Sequence, residues 1–140
     1  MSKIFWDTNL FIYLIEDIGD LSLRVVRLRE RMLSRGDQLY TSTLTLGEVL
    51  VKPKEAGDEN LLRQYEAALT TGARMIPFDA AAARRYAGIR QDRGIRPPDG
   101  IQLACAAEAG VDLFITNDDR LSRKIVPGIQ FLVSLDRAFL

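Results

Sequence analysis

Histidine is absent from the 140 residues, and cysteine occurs once, at Cys105. Without histidine the chain cannot assemble a Ser-His-Asp or Cys-His nucleophile or a Cys/His zinc site, and with a single thiol it cannot form an internal disulfide. Cys105 lies in the apolar stretch Ile101–Ala109 and reads as a small core residue. No two glycines stand as Gly-x-Gly and no Gly-Lys-Ser/Thr occurs, so dinucleotide and P-loop sites find no support. No apolar run approaches the roughly 20 residues of a membrane span, and no charged-then-apolar leader opens the chain. The expectation is a soluble, cytoplasmic protein with no membrane partner. Lys+Arg and Asp+Glu both number 19, so no overall field steers the molecule toward nucleic acid, and any attraction for phosphate must come from local segregation of charge. Whatever chemistry the chain performs rests mainly on carboxylates.

What is present is enough apolar material, 47% of residues, for one domain spanning residues 1–140. The stretch Lys3–Leu14 organises it. Ile4, Phe5 and Trp6 have the bulk of a buried strand, Leu10, Phe11, Leu14 and Ile15 recur at helical spacing, and Asp7-Thr8-Asn9 forms the hinge between them. If that strand is central and parallel, Asp7 sits at its carboxyl end, where open α/β sheets bind ligands; taken alone, Asp7 or Thr8 reads equally as a helix cap. After the polar break Glu16–Asp20, Leu21, Val25, Leu28 and Met32 mark the apolar face of a helix, and Arg24, Arg27, Arg31 and Arg35 line a neighbouring face. Residues 21–35 carry five arginines against Glu30 alone, which reads as a solvated face or as a phosphate or partner contact.

Gln38–Thr43 reads as a second strand, and Leu44–Val51 as a helix that Pro53 ends. Glu48 within it stands out among Leu46, Val49 and Leu50, because burying a carboxylate costs several kcal/mol unless something pairs with it; the alternative is an exposed helix side. Asp58 caps a helix to Thr71, Arg74–Phe78 gives an edge strand, and Ala82, Tyr86 and Ile89 continue as a helix. Pro97 and Pro98 forbid helix before Asp99, which then occupies the first turn of a small-residue helix and by itself reads as a cap. Val111–Thr116 is the next strand, delivering Asp118 and Asp119, and Gln130–Ser134 the last. Strands alternating with helices predict a parallel sheet covered on both faces, in which Asp7, Glu48, Asp99 and Asp118 can converge at one end. Clustered carboxylates raise one another's pKa unless a cation sits among them, and oxygen ligands without His or Cys select Mg²⁺ or Mn²⁺.

Four segments then carry a resemblance: Phe5-Trp-Asp-Thr-Asn-Leu-Phe-Ile-Tyr13, Ser42-Thr-Leu-Thr-Leu-Gly-Glu-Val49, Asp99-Gly-Ile-Gln-Leu-Ala104 and Ile115-Thr-Asn-Asp-Asp-Arg120. In this order and at these intervals the chain resembles a PIN-domain ribonuclease, most closely a VapC-type toxin of a toxin–antitoxin pair. The resemblance implies a PIN-like three-layer α/β/α sandwich with a central, mainly parallel sheet of about five strands. It implies Asp7, Glu48, Asp99 and Asp118 as catalytic, metal-binding acids, with Asn9 and Thr116 as polar supports. At Asp118-Asp119 the family motif favours Asp118, leaving Asp119 peripheral or a helix cap. Gly100 stands where the family often has alanine.

The activity so implied is Mg²⁺- or Mn²⁺-dependent endoribonucleolytic hydrolysis of an RNA substrate, and the partners implied are a VapB-like antitoxin and a second copy in a homodimer. The arginine stripe on residues 24–35, with Phe11, Leu14, Ile15, Val25, Leu28 and Met32 beside it, is the expected antitoxin groove. Two other readings compete. Phosphatase-like α/β proteins want a second Asp two residues after the first, where this chain has Asn9, and a non-catalytic PIN-like RNA- or protein-binding module would tolerate the loss of one or more acids, yet all four are present.

Overall fold

The computed structural model describes residues 1–138. Its centre is strand β1 (Lys3–Trp6), whose Ile4, Phe5 and Trp6 are all fully buried. That requires cover on both faces, which a strand inside a parallel sheet receives. Five strands pair in parallel in the order β3 (Arg74–Ile76), β2 (Gln38–Ser42), β1, β4 (Leu113–Thr116), β5 (Phe131–Ser134). β1 is thus the middle strand, with Phe5 opposite Tyr40 on one side and Phe114 on the other.

Alternate side chains of β1 build two cores. Ile4 and Trp6, with Leu39 and Ile115, face helices α1 (Thr8–Ile15), α2 (Asp20–Arg35), α3 (Thr43–Ala56) and α4 (Glu59–Thr70) through Leu10, Phe11, Met32, Val49 and Leu69. Phe5, stacked on Phe114 at 4.9 Å between centroids, faces α5 (Ala80–Ile89) and α6 (Pro97–Ala109). The result is the α/β/α sandwich expected from the sequence, its five-stranded sheet wholly parallel. Cys105 is buried in the second core and burial pushes its thiol up to about 11, in keeping with a packing role. Among the described residues no helix is long and apolar enough to cross a membrane.

Three prolines act differently from their sequence reading. Pro53 does not end α3, which runs on to Ala56; it is buried, and the helix closes at Gly57, in the left-handed region at φ 66°, with the next N–H, that of Asp58, donating to the Pro53 carbonyl at 2.9 Å. Burial of its ring outweighs the lost backbone bond so near the helix end. Pro97 and Pro98 do not delay α6 but form its first two positions, where an N–H would have no partner in the helix. Asp99 accordingly lies third in the first turn.

The apolar face of α2 also resolves. Val25, Leu28 and Met32 are buried in the first core with Phe11, so these residues close the fold instead of lining a free groove, while Leu14 and Ile15 are half-buried against the same core.

Candidate active site

Asp7 follows β1 at the carboxyl end of the sheet and acts as N-cap of α1, its Oδ1 accepting from the Thr8 N–H at 2.8 Å. The adjacent β4 supplies the other contact: Thr116, its last residue, donates its hydroxyl to Asp7 Oδ2 at 2.9 Å and accepts the Asp118 N–H at 3.1 Å. The capping and functional readings of Asp7 are therefore compatible, since one oxygen serves the helix and the other is aimed by a neighbouring strand. Asp118 Oδ1 accepts from the N–H groups of Arg120 and Leu121 at 2.9 and 3.1 Å, so this residue, not Asp119, fixes the turn after β4. Asp119 is exposed.

Glu48 lies on the exposed side of α3, so the cost of burial does not account for it. Its Oε1 accepts the Thr8 hydroxyl at 2.6 Å, which ties it to the residue after Asp7. Asp99, in the first turn of α6, is joined to Asp118 by Arg96, whose Nε stands 3.6 Å from Asp99 Oδ2 and whose Nη2 stands 3.7 Å from Asp118 Oδ2. Asn9 is exposed and, among the described residues, bonds to none of these acids. The structure thus links Asp7 to Thr116, Asp118 to Asp99 through Arg96, and Glu48 to Asp7 through Thr8.

Charge and donor chemistry decide whether such a site suits a divalent cation. The donors are carboxylate and hydroxyl oxygens, the hard set that Mg²⁺ and Mn²⁺ take. Burial above all pushes the Asp7 carboxyl up to about 6, against the lowering bonds from Thr116 and Thr8, and the negative charges of Asp99 and Glu48 add to the rise. Asp99 is also raised, chiefly by burial and then by Asp118, with Arg96 opposing. The acids sense one another, and a cation among them relieves both their desolvation and their repulsion. As they stand, no group of three or more acids among the described residues is gathered to grip an ion. Arg96 supplies positive charge between two of them instead.

Several site residues carried no assigned role in the sequence. Gln102 of α6 is buried and polar, and Thr8, Thr45 and Ser42 surround its amide. The readable signal was spacing: Thr45 precedes Glu48 by three and Gln102 follows Asp99 by three, each pair sharing a helix face. Arg96 likewise stands three before Asp99. By contrast the α2 arginines are partly committed elsewhere, Arg24 to Asp20 and Asp136, and Arg35 to Asp37. Arg24, Arg27 and Arg31 line a cleft of about 400 Å³ with Leu28, Leu135 and Asp136.

A match to the PIN domain family model extends over residues 4–125, embracing all four acids. The chain belongs to the PIN domain family. Solved structures similar in fold to this PIN domain include VapBC2 from Rickettsia felis bound to a DNA fragment from their promoter, 16% identical with a TM-score of 0.73 over 94% of this chain and 98% of that one. A toxin–antitoxin complex from Klebsiella pneumoniae is 24% identical, with a TM-score of 0.66 over 90% and 94% of the two chains. DNA-bound VapBC from Salmonella typhimurium is 23% identical, with a TM-score of 0.66 over 96% and 99%. No curated protein matches this PIN domain significantly.

Proposed function

We propose that this PIN domain is a Mg²⁺- or Mn²⁺-dependent endoribonuclease and the toxin of a toxin–antitoxin pair. The observation that carries the reading is the placement of acids from four separate segments among oxygen donors: Thr8 ties Glu48 to the cap formed by Asp7, Arg96 joins Asp99 to Asp118, and the Asp7 carboxyl is raised by burial first and then by the charges of Asp99 and Glu48. These four residues would hold the metal. A bound Mg²⁺ or Mn²⁺ supplies Lewis-acid activation of water and neutralises charge developing on the leaving oxygen.

The chain's own residues do the rest. Thr116 and the Thr8 N–H hold Asp7 in one orientation, and the Arg120 and Leu121 N–H groups hold Asp118. Arg96 is 69% exposed and sits at long range from both its acids, so its guanidinium can turn to an RNA phosphate, for which its forked donors are suited. A neutral protein gains RNA affinity from such local cations, not from its overall charge.

Single-stranded RNA incubated with the purified chain in Mn²⁺ should be cut to products ending in 5′-phosphate and 3′-hydroxyl, and EDTA should stop the reaction. Asp7→Asn and Asp99→Asn, folded by circular dichroism, should each lower the rate by about 100-fold or more. Undiminished cleavage by either would remove that residue from the mechanism. RNA binding without cleavage by the wild type would favour the non-catalytic module.

The fold neighbours that are toxin–antitoxin complexes support a VapB-like antitoxin as partner; a homodimer rests on the family resemblance alone. For the antitoxin contact the arginine-lined α2 cleft is the candidate, without the apolar groove expected beside it, because Val25 and Met32 belong to the core. Arg27→Glu with Arg31→Glu should weaken capture of an acidic-flanked antitoxin helix, more at low than at high salt. Binding unchanged at low salt would place the contact elsewhere.

A further inference from the structure

We propose that Gln102 is a positioning residue for Glu48, acting through the Thr8 hydroxyl; the inference rests on the metal-centre reading above and deepens it. Gln102 lies one helical turn after Asp99 on α6 and is 1% exposed. Its Oε1 accepts the Ser42 hydroxyl at 2.5 Å, and its Nε2 donates to Thr8 Oγ1 at 3.0 Å and Thr45 Oγ1 at 2.7 Å. One side chain thus touches the end of β2, the start of α1 beside Asp7, and the first turn of α3 one turn before Glu48.

The protons in this cluster can be counted. Glu48 Oε1, 2.6 Å from Thr8 Oγ1, is a carboxylate oxygen and can only accept, so the Thr8 proton goes to it. Thr8 Oγ1 must then receive from its other neighbours, and Gln102 Nε2 provides that hydrogen while its second goes to Thr45. Thr41 Oγ1 donates its one proton to the Trp6 carbonyl at 3.0 Å or to Thr45 Oγ1 at 2.9 Å, and Thr45 Oγ1 in turn stands 3.2 Å from Thr8 Oγ1. Rotating the amide by 180° would put Oε1 against Thr8 and Thr45 and call on a Thr8 proton that Glu48 already takes. Only the present amide orientation gives a hydrogen to both Thr8 and Thr45 while accepting from Ser42. Because the amide is buried and committed at three points, it holds the Thr8 hydroxyl facing Glu48 instead of leaving it to rotate.

The consequence is that Glu48, exposed on α3 and otherwise free to sample several rotamers, is held beside the Asp7 cap by the Thr8 hydroxyl. Replacing Gln102 by an apolar residue of similar length removes that donor and leaves Thr8 with only the longer 3.2 Å contact to Thr45, so the anchor on Glu48 loosens.

The test uses the full chain with Gln102→Met, Thr8→Val, Thr8→Ser and Glu48→Gln. With MnCl₂ as the titrant, Gln102→Met and Thr8→Val should weaken Mn²⁺ binding by roughly 10- to 100-fold, the range found when an outer support of a metal ligand is removed. Thr8→Ser, which keeps the hydroxyl, should retain wild-type affinity. In a Glu48→Gln background Gln102→Met should cost nothing further. Equal weakening in both backgrounds, or a lower melting temperature with unchanged Mn²⁺ affinity, would make Gln102 merely structural and overturn the proposal. Thr8→Val carries the same prediction at a half-buried position should Gln102→Met not fold. A parallel measurement in EDTA, the NMR order parameter of the Glu48 side chain, should fall in Gln102→Met and Thr8→Val and stand at the wild-type value in Thr8→Ser. An unchanged order parameter in Gln102→Met would overturn the proposal whatever the metal does. A wild type that binds no Mn²⁺ would instead overturn the metal-centre reading, and the order parameter would still decide what Gln102 does.

Discussion

Asp7 carries the largest electrostatic cost of the site. Its carboxyl moves from 3.8 to about 6, so between those values the folded state binds a proton that the unfolded chain has released. Stability from this group is therefore highest below pH 4, falls as pH rises through the window, and stays lowered above pH 6 by roughly 3 kcal/mol at most. In EDTA, Asp7→Asn should stabilise the protein by about 1–3 kcal/mol at pH 7.5 in urea melts, an advantage that shrinks to nothing near pH 4. A destabilised variant at pH 7.5 would mean that the bonds from Thr8 and Thr116 outweigh the burial of charge. The same shift predicts proton competition: Mn²⁺ affinity should drop as pH falls below about 6. Arg96 acts in the opposite sense, as a resident cation near Asp99 and Asp118. Such exposed pairs are weak, so Arg96→Gln should tighten Mn²⁺ binding only about two- to fivefold while slowing RNA cleavage. Looser Mn²⁺ binding in that variant would show that Arg96 orients the acids instead of competing for them.

Among the elements, α6 links an acid of the site to its buried support. It supplies Asp99 and Gln102, and it lies close against α5, where a Cβ added at Gly100 would stand 2.9 Å from Tyr86 Cε2 and 3.1 Å from Arg90 Cδ. The Tyr86 ring has little room to yield: Phe78 meets it edge-on at 5.6 Å, and Arg90 lies over it while donating to its hydroxyl at 2.8 Å. The chain thus has a packing reason for glycine here, and Gly100→Ala should cost about 1–2 kcal/mol in a thermal or urea melt. An unchanged melt would show that Tyr86 moves aside freely. The same helix shows what the sequence could and could not convey. Its small-residue face, its place before β4 and the acid in its first turn were all legible from residues 97–109. Its true start was not, because whether a proline breaks or begins a helix depends on which backbone donors are needed, and that is settled by position within the element. Pro53 illustrates the complement: burial kept α3 going where local propensity alone would stop it. For Glu48 the sequence left a paired buried acid and an exposed helix side both open, and the structure takes the exposed side, fastened by Thr8. Gln102 and Arg96 went without roles because their partners come from distant segments, and only their three-residue spacing from Asp99 hinted at a shared face.

At the scale of the molecule, the parallel sheet brings the acids to one end. β2, β1 and β4 are neighbours running in the same direction, so the residues following them emerge together: α3 with Glu48, the α1 turn with Asp7, and the turn of Asp118. Four segments separated by as many as 111 positions, Asp7 to Asp118, meet there without any long loop. A neutral chain therefore sets Asp7, Glu48, Asp99 and Asp118 with Arg96 at one end of the sheet, a distribution that net charge conceals. The claim that these acids form one divalent-cation centre can be tested directly with crystals soaked in MnCl₂, by locating Mn²⁺ in an anomalous difference map. The account predicts a peak bounded by the carboxylates of Asp7, Glu48, Asp99 and Asp118, with Arg96 turned away from Asp99 and Asp118. A clean map at these four acids under saturating Mn²⁺, with Arg96 still between Asp99 and Asp118, would contradict it.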